Sequence, residues 1–422
     1  MVFLLLGLMF LFLALNFPMI VPMVVAPLVI MKIFIPNVDI MLATQQLVAG
    51  VNTQVLLSVP MFILGADIMS SGHSTNRLLD FLEAFVGHIR GGMAITTAAA
   101  CTLFGAISGS TQATVVAIGK PMRGRLLQLG YSDSASSGLI INSAIIALLI
   151  PPSISMIMYA VVTGSSVGDL FIAGIGPGIL MFILFAIWSY YYANKVKIPR
   201  TEKKNWKQRI SSFKKALGPL GFPVIIFVGI YGGVFSPTES AAVTVVYAFI
   251  LEFFIFKTLK FKDIGRIAVS TAVSTSVVFI LVAGGQLFSW VISYAQLPQM
   301  LTKSILGVDP SAARILITVT LFMLVSCMFV DSLVAIIILS PIFYPVAMRA
   351  GINPIHLGIV ITLQAAMGSV TPPFGCNIFT GCAIFHRPYF DIIKGMPPYL
   401  ILELVVTAVV IFCPQLSLFL LK

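Results

Sequence analysis

The residues best placed for chemistry are backbone oxygens that apolar segments would normally keep paired. The stretch SGLIINSAIIALLIPPSISMIMYAVVTG, 137–164, is interrupted by Pro151–Pro152, and the stretch 356–385 by Pro372–Pro373. Proline has no amide hydrogen and clashes with the preceding turn, so the carbonyls from about Ala147 to Ile150 lose their helical partners. Freed carbonyls and hydroxyls are hard ligands that suit a small cation, whereas the amide-rich start of a half-helix suits a carboxylate. Two other apolar segments carry a polar centre: GAISGSTQAT at 105–114, and Ser326, Cys327, Asp331 and Ser332 within 315–348.

These groups define two expected Na⁺ sites. One joins the Ser108 hydroxyl to the carbonyls of Ala147, Ile150 and Pro152, with Gly105 as an additional candidate. The other joins Cys327, Gly368, Thr371 and Phe374, mostly through backbone oxygens, with Asp331 as an additional candidate. Asp331 is equally suited to capping the helix that follows it. A proton-driven carrier needs titratable groups in the membrane, and Asp331 reads as the one carboxylate placed centrally in an apolar segment, so sodium is the expected coupling ion, with two or more bound. Solute is expected between the polar breaks, at Ser110, Thr111, Asn142, Pro373, Asn377 and Thr380. Helix capping is the competing role for these residues.

The elements that must position these groups are membrane helices. Hydrophobic residues make up 59% of the 422 and charged residues 9%, against roughly 25% charged in soluble domains. Windows such as 221–235, 240–251 and 267–297 are almost free of charge and predict an all-α polytopic protein with about ten or more spanning or re-entrant segments. The net charge of +11 reads as basic loops on the cytoplasmic side rather than as a nucleic-acid surface. Five cysteines lie in apolar runs without CxxC spacing, and four histidines have no ligand spacing, which argues against a disulfide framework or a transition-metal site. The opening MVFLLLGLMFLFLALNF lacks a basic leader region and reads as the start of the first membrane helix. With no soluble domain visible, a soluble partner has to be a separate chain.

The basic stretches give the topology. Residues 194–216 carry nine Lys and Arg and predict a cytoplasmic linker, with a short helix anchored on the inner leaflet by Trp206 and Phe213 or simply solvated. Residues 256–266 are also basic, so 219–235 and 239–256 form one excursion out and back, turning at YGGVFSPTES. The apolar stretch 91–119 has basic flanks on both sides, Arg77, His88 and Arg90 before it and Lys120, Arg123 and Arg125 after it. Its 29 residues would span about 43 Å as one helix, too long for one crossing and too short for two. A re-entrant hairpin over about 85–122, turning at GAISGS, satisfies both facts; close packing through the G-x-x-x-G at 105–109 is the alternative. A Pro-Pro-broken helix at about 136–160 and a returning helix at 170–192 complete a first repeat, 1–193. After the 194–216 linker, a second repeat, 217–422, contains a crossing at 267–297, a hairpin at about 313–348 with both ends outside, a broken helix at about 356–385 and a final helix at about 397–420. From Gly109 to Pro151 is 42 residues and from Asp331 to Pro372 is 41. Equal spacing with opposite orientation predicts inverted-topology repeats with the site at their interface.

The motifs GAISGSTQATVVAIG, IPPSISMIMYAVVTGSSVGDLFIAGIGPG, YGGVFSPTESAAV, FVDSLVAIIILSPIFYPV and GSVTPPFGCNIF resemble the large membrane subunit of the tripartite ATP-independent periplasmic (TRAP) transporters, over nearly the whole chain. The resemblance implies an elevator-type carrier in the bacterial inner membrane, not an enzyme, that is driven by a Na⁺ gradient and imports an organic acid. It implies a small four-helix membrane subunit and a periplasmic substrate-binding protein as partners. The sequence looks closest to members that carry sialic acid, with a C4-dicarboxylate or another carboxylate as the alternative. Two rival classes are weaker. AISG at 106–109 resembles part of an intramembrane serine protease motif, but Ala106 replaces a glycine and no histidine sits centrally in a membrane segment to act as base. Re-entrant loops also occur in ion channels, and hairpins alone do not distinguish the two.

Overall fold

Lipid offers no hydrogen bonds to a backbone, so a chain of this composition must satisfy its amides within helices or a closed barrel. In the computed structural model the described residues form helices and no strand. The structure describes residues 1–296, 306–307 and 310–421. Seven helices among them are long and apolar enough to cross a membrane.

The two polar-centred segments are hairpins. The first has arms Gly92–Ser108 and Thr111–Gln128. Its break needs Gly109, whose φ of 60° lies in the left-handed region, and Ser110, whose side chain accepts from the Ala113 amide to start the second arm. The second hairpin has arms Ala312–Phe329 and Ser332–Arg349, and Asp331 begins its second arm by accepting from the Leu333 amide at 2.9 Å.

Each hairpin is followed by a broken segment. In the first, Asp133–Ser143 continues as a 3₁₀ turn, Ala144–Leu148, up to Pro151–Pro152, and Ile154–Thr163 resumes behind the capping residue Ser153. In the second, Pro354–Gly368 stops before Pro372–Pro373 and Cys376–Phe385 resumes. Both Pro–Pro bonds are cis. The resumed halves have 10 residues each, about 15 Å, or half of a hydrocarbon core about 30 Å thick. Both breaks therefore lie at membrane depth.

The packing is crosswise. The first arm of each hairpin lies on the broken segment of its own half, and the second arm lies on the resumed half-helix of the other: Thr111–Gln128 against Cys376–Phe385, and Ser332–Arg349 against Ile154–Thr163. Close approach depends on one small residue per contact. A Cβ on Gly105 would stand 2.5 Å from Ala147 Cα, and one on Gly368 would collide with Cys327. Around this core, Ile20–Phe34, Met41–Val51, Ser58–Ser71, Trp206–Tyr231, Pro237–Phe249 and Asp263–Tyr294 pack on one another. Asp263–Tyr294 turns Val269, Val273, Val277 and Ile280 outward, as expected of a lipid-facing or partner-facing side.

Three boundaries differ from the sequence expectation. The basic linker contains no separate surface helix: one helix, Trp206–Tyr231, starts at a reciprocal cap between Asn205 and Gln208 and runs on into the span. The strong cap sets the start, and no break signal separates the basic turns from the apolar ones. The crossing expected at 267–297 starts earlier, at Asp263, and ends at Tyr294; residue 297 lies outside the described residues. The final helix is Pro397–Phe412, and Pro414 separates it from a short turn, Gln415–Leu418.

Gly105→Ala is expected to lower the stability of the purified protein by about 1–3 kcal/mol, the usual range for overpacking, read as a fall in its melting temperature. Gly124→Ala is the control, because nothing lies within 4 Å of a Cβ there; an unchanged melting temperature for Gly105→Ala would remove the close-contact argument.

Candidate transport site

The two hairpin tips and the two breaks meet in one place. A cavity of about 80 Å³ is lined by Gly109, Ser110, Thr111 and Gln112 from the first tip, by Asp331, Ser332 and Leu333 from the second, and by Leu148, Ile154, Ser155 and Cys376 from the broken segments. This volume lies far below the roughly 300–1,000 Å³ of a site for a drug-sized ligand.

The lining is pseudo-symmetric. Gly109 and Asp331 are 222 residues apart, as are Ser110 and Ser332, and Thr111 and Leu333; Ser155 and Cys376 are 221 apart, and all eight line the cavity. The close glycine contacts of the two halves keep the same spacing, with Gly105 and Cys327 222 apart and Ala147 and Gly368 221 apart. The polar contacts break the symmetry. Thr111 Oγ1 donates to Asn377 Oδ1 at 3.0 Å in a buried bond that joins the first tip to the second broken segment. Asn377 is held in turn by Ser369: its backbone amide donates to Ser369 O at 2.9 Å and its side-chain amide to Ser369 Oγ at 3.3 Å. The counterparts of Thr111 and Asn377 are Leu333 and Met156, which cannot form such a bond.

The tip that carries Ser108 packs on the first break. Gly105 stands on Ala147, and a Cβ on Gly109 would stand 2.6 Å from Pro152 O, so Ser108 lies between two contacts with the first break. Its hydroxyl is 3.2 Å from Thr114 Oγ1 and 3.3 Å from Ser110 O. The amides that would close a helix on Ala147 and Leu148 belong to Pro151 and Pro152, which have none. Among the described residues no turn or loop amide donates to Ile150 O or Pro152 O.

The second set is more occupied. Gly368 packs on Cys327, but its carbonyl already accepts from the Thr371 amide at 3.2 Å. Thr371 Oγ1 donates to Met367 O at 2.7 Å. Phe374 is exposed, and its ring lies 5.5 Å from that of Phe329. Asp331 performs the capping role while also lining the cavity.

Of the expected solute residues, Ser110, Thr111 and Asn377 come together. Ser110 and Thr111 line the cavity, and Asn377 lies behind it on its bond to Thr111; the other three are neither in the lining nor bonded to it as Asn377 is. Asn142 is fully buried and donates to Gly138 O at 2.6 Å, one turn back in its own helix. Pro373 O accepts from Tyr389 at 2.8 Å, and Thr380 donates to Cys376 O at 3.0 Å. Three polar lining residues, Gln112, Ser155 and Cys376, were not singled out from the sequence. Ser155 is buried with its hydroxyl unpartnered among the described residues; its signal was its place just after the Pro-Pro break. The expectation of a single central carboxylate needs correction. Glu403, in Pro397–Phe412, is fully buried, and neither of its oxygens has a partner among the described residues. One acidic residue midway along an apolar helix gave no sign of facing inward.

Two hairpins meeting over two broken segments define an ion-transporter-like membrane carrier. The same fold occurs in the solved structure of the Alcanivorax borkumensis YdaH transporter, with a TM-score of 0.63 at 15% identity, covering 87% of this chain and 86% of that one. The family is more specific. Residues 6–416 match the model of the tripartite ATP-independent periplasmic transporter DctM component, and the chain belongs to that family as a large permease subunit. It is 52% identical to the ectoine TRAP transporter large permease protein TeaC of Halomonas elongata, over 97% of this chain and 96% of that protein. It is 48% identical to the ectoine/5-hydroxyectoine permease UehC of Ruegeria pomeroyi, over 98% and 96%. The sialic acid permease SiaM of Vibrio cholerae is 34% identical, over 90% and 88%. These relatives are transporter permeases rather than enzymes.

Thr111→Val should cost about 1–3 kcal/mol by removing the hydroxyl donor of the buried Asn377 Oδ1, which would keep only the weak Cys376 thiol contact at 3.9 Å. A double-mutant cycle of Thr111→Val with Asn377→Ala, read by thermal unfolding, should return a coupling of about 0.5–3 kcal/mol. Strictly additive losses would show that the bond does not join the two halves.

Proposed function

We propose that this subunit carries a compact carboxylate solute inward with Na⁺, through elevator movement of the hairpin and broken-segment core against the surrounding helices. The observation that carries this reading is the single cavity where both tips and both breaks meet. Carbonyls freed before the prolines supply cation ligands, and tip amides and hydroxyls supply partners for a carboxylate. Ser108 with Ala147, Ile150 and Pro152 is the first proposed Na⁺ site, with Gly105 behind it. Cys327, Gly368 and Thr371, with Phe374 and Asp331 at its edge, is the second. The family implies a small membrane subunit, a periplasmic binding protein that delivers the solute, and a place in the bacterial inner membrane.

Ectoine is the favoured solute. The two relatives named for it share 52% and 48% identity with this chain, against 34% for the sialic acid permease. Ectoine is itself a compact carboxylate. Sialic acid and a C4-dicarboxylate are the competing solutes.

The test is uptake into proteoliposomes holding both membrane subunits, with the binding protein added outside. Ectoine uptake should saturate and should require both an inward Na⁺ gradient and the binding protein. Uptake that persists without Na⁺, or without the binding protein, would overturn the reading; uptake of sialic acid alone would replace the solute. Ser108→Ala and Thr371→Ala should each raise the Na⁺ concentration for half-maximal uptake, by roughly tenfold if one ligand is worth about 1.4 kcal/mol. An unchanged Na⁺ response in both would refute the assigned ligands.

A further inference from the structure

A second and larger cavity, of about 170 Å³, lies away from the tips and shares no residue with the tip cavity. Four aromatic side chains line it, Tyr131, Trp188, Tyr192 and Tyr399, together with Ser189 and Lys394. The rings are held in place. Tyr131 and Tyr192 lie within 19° of parallel with centroids 6.2 Å apart, and Tyr399 is pinned edge-on to Phe185 at 5.2 Å. Tyr131 is 4% exposed, yet its hydroxyl has no hydrogen-bond partner among the described residues. A buried polar group left unpaired is costly, and this one, beside the cavity, is available to a ligand.

The lining specifies the ligand class. Aromatic faces attract an organic cation through the ring quadrupole, most strongly when the cation is weakly hydrated and spread over several atoms. Lys394 offers an ammonium to an anionic group; its present partner is Asp391 at 3.2 Å, an exposed pair of a kind worth little and readily exchanged. The volume suits a metabolite below drug size. We propose that this cavity binds a compact zwitterion, with its delocalised or alkylated cation among the four rings and its carboxylate at Lys394. The exposed Lys394 lines this cavity, in one of the basic loops that the positive-inside rule places in the cytoplasm, so the cavity samples solute on the side to which the carrier delivers it.

Trp188 is one of three tryptophans, so Trp206→Phe with Trp290→Phe leaves it as the only indole of this chain, and a matched sample with Trp188→Phe subtracts the indoles of the partner subunit and the nanodisc. The two membrane subunits together, in nanodiscs, are titrated with ectoine, glycine betaine and choline while Trp188 fluorescence is followed. Only the choice of ectoine rests on the solute reading above; betaine and choline probe the cavity alone. All three should give a saturable change. Tyr192→Leu should weaken all three by roughly tenfold, within the range of cation–π contacts. Lys394→Ala should weaken ectoine and betaine but not choline, which has no carboxylate; because Lys394 is exposed, this variant tests the site without disturbing folding. Thr111→Val, which alters the tip cavity, should leave the Trp188 response intact even if transport is lost, so failure of the transport reading and failure of this one are separable. No saturable response to any of the three at millimolar concentrations, or a response unmoved by both Tyr192→Leu and Lys394→Ala, would overturn the proposal.

Discussion

The constraint on which this structure depends is that a backbone interrupted at membrane depth must find its partners inside the protein. Four such interruptions occur here: two hairpin tips and two Pro-Pro breaks. None could stand against lipid. Packed crosswise, each hairpin shields one break of its own half and one half-helix of the other, and all four interruptions come into mutual contact. The small residues follow from this. Gly105 against Ala147 and Cys327 against Gly368 are the same contact in the two halves, with the glycine on opposite partners. What the contact needs is one residue without a Cβ, on whichever strand of the pair, for two backbones to approach closely enough to exclude lipid.

The pseudo-symmetry is broken where a carrier of a polar solute needs it to be. Corresponding residues frame the cavity, but the Thr111–Asn377 bond has no equivalent in the other half, where the counterparts are Leu333 and Met156. A symmetric pair of hydrogen bonds would hold both tips equally. With a bond at one tip and apolar residues at the corresponding positions of the other half, only one tip carries this directional tie.

Much of this was legible in the sequence, because lipid leaves few alternatives. Apolar length, paired basic flanks and two prolines in a row can each be read without knowing the tertiary structure, and they located both hairpins, both breaks and the repeat. Ser110, Thr111 and Asn377 come together because each sits beside a break, where polarity has to be explained. Asn142 does not join the cavity lining, for an instructive reason. Its amide turns back to Gly138 O within its own helix, a local bond that sequence spacing cannot distinguish from an inward-facing ligand. Glu403 and Ser155 were missed because burial is decided by neighbours far away in the chain. The linker was misjudged because amphipathic turns at the start of a membrane helix carry the same pattern as a helix lying on the surface.

The two breaks are also seated differently, and this bears on which of them can move. The first rests on Val167–Val196 through bare backbone: a Cβ on Gly174 would collide with Leu149 O, and one on Gly178 would stand 2.6 Å from Ile150. Such contacts are close but have no preferred direction. The second is tied to Pro397–Phe412 by a polar ladder. Gln364 donates to Thr407 Oγ1 at 3.1 Å, Thr407 lies 3.1 Å from Met367 Sδ, and Thr371 closes on Met367 O. Glu403 stands one helical turn before Thr407 on the same face. Hydrogen bonds inside a low-dielectric core are directional and costly to leave unmade. A ladder of this kind holds the second break to its helix as one body, whereas the glycine seat under the first allows small slips without leaving a polar group stranded. The freer carbonyls of Ile150 and Pro152 lie at the break whose seat is non-directional, where a small displacement strands the fewest polar groups.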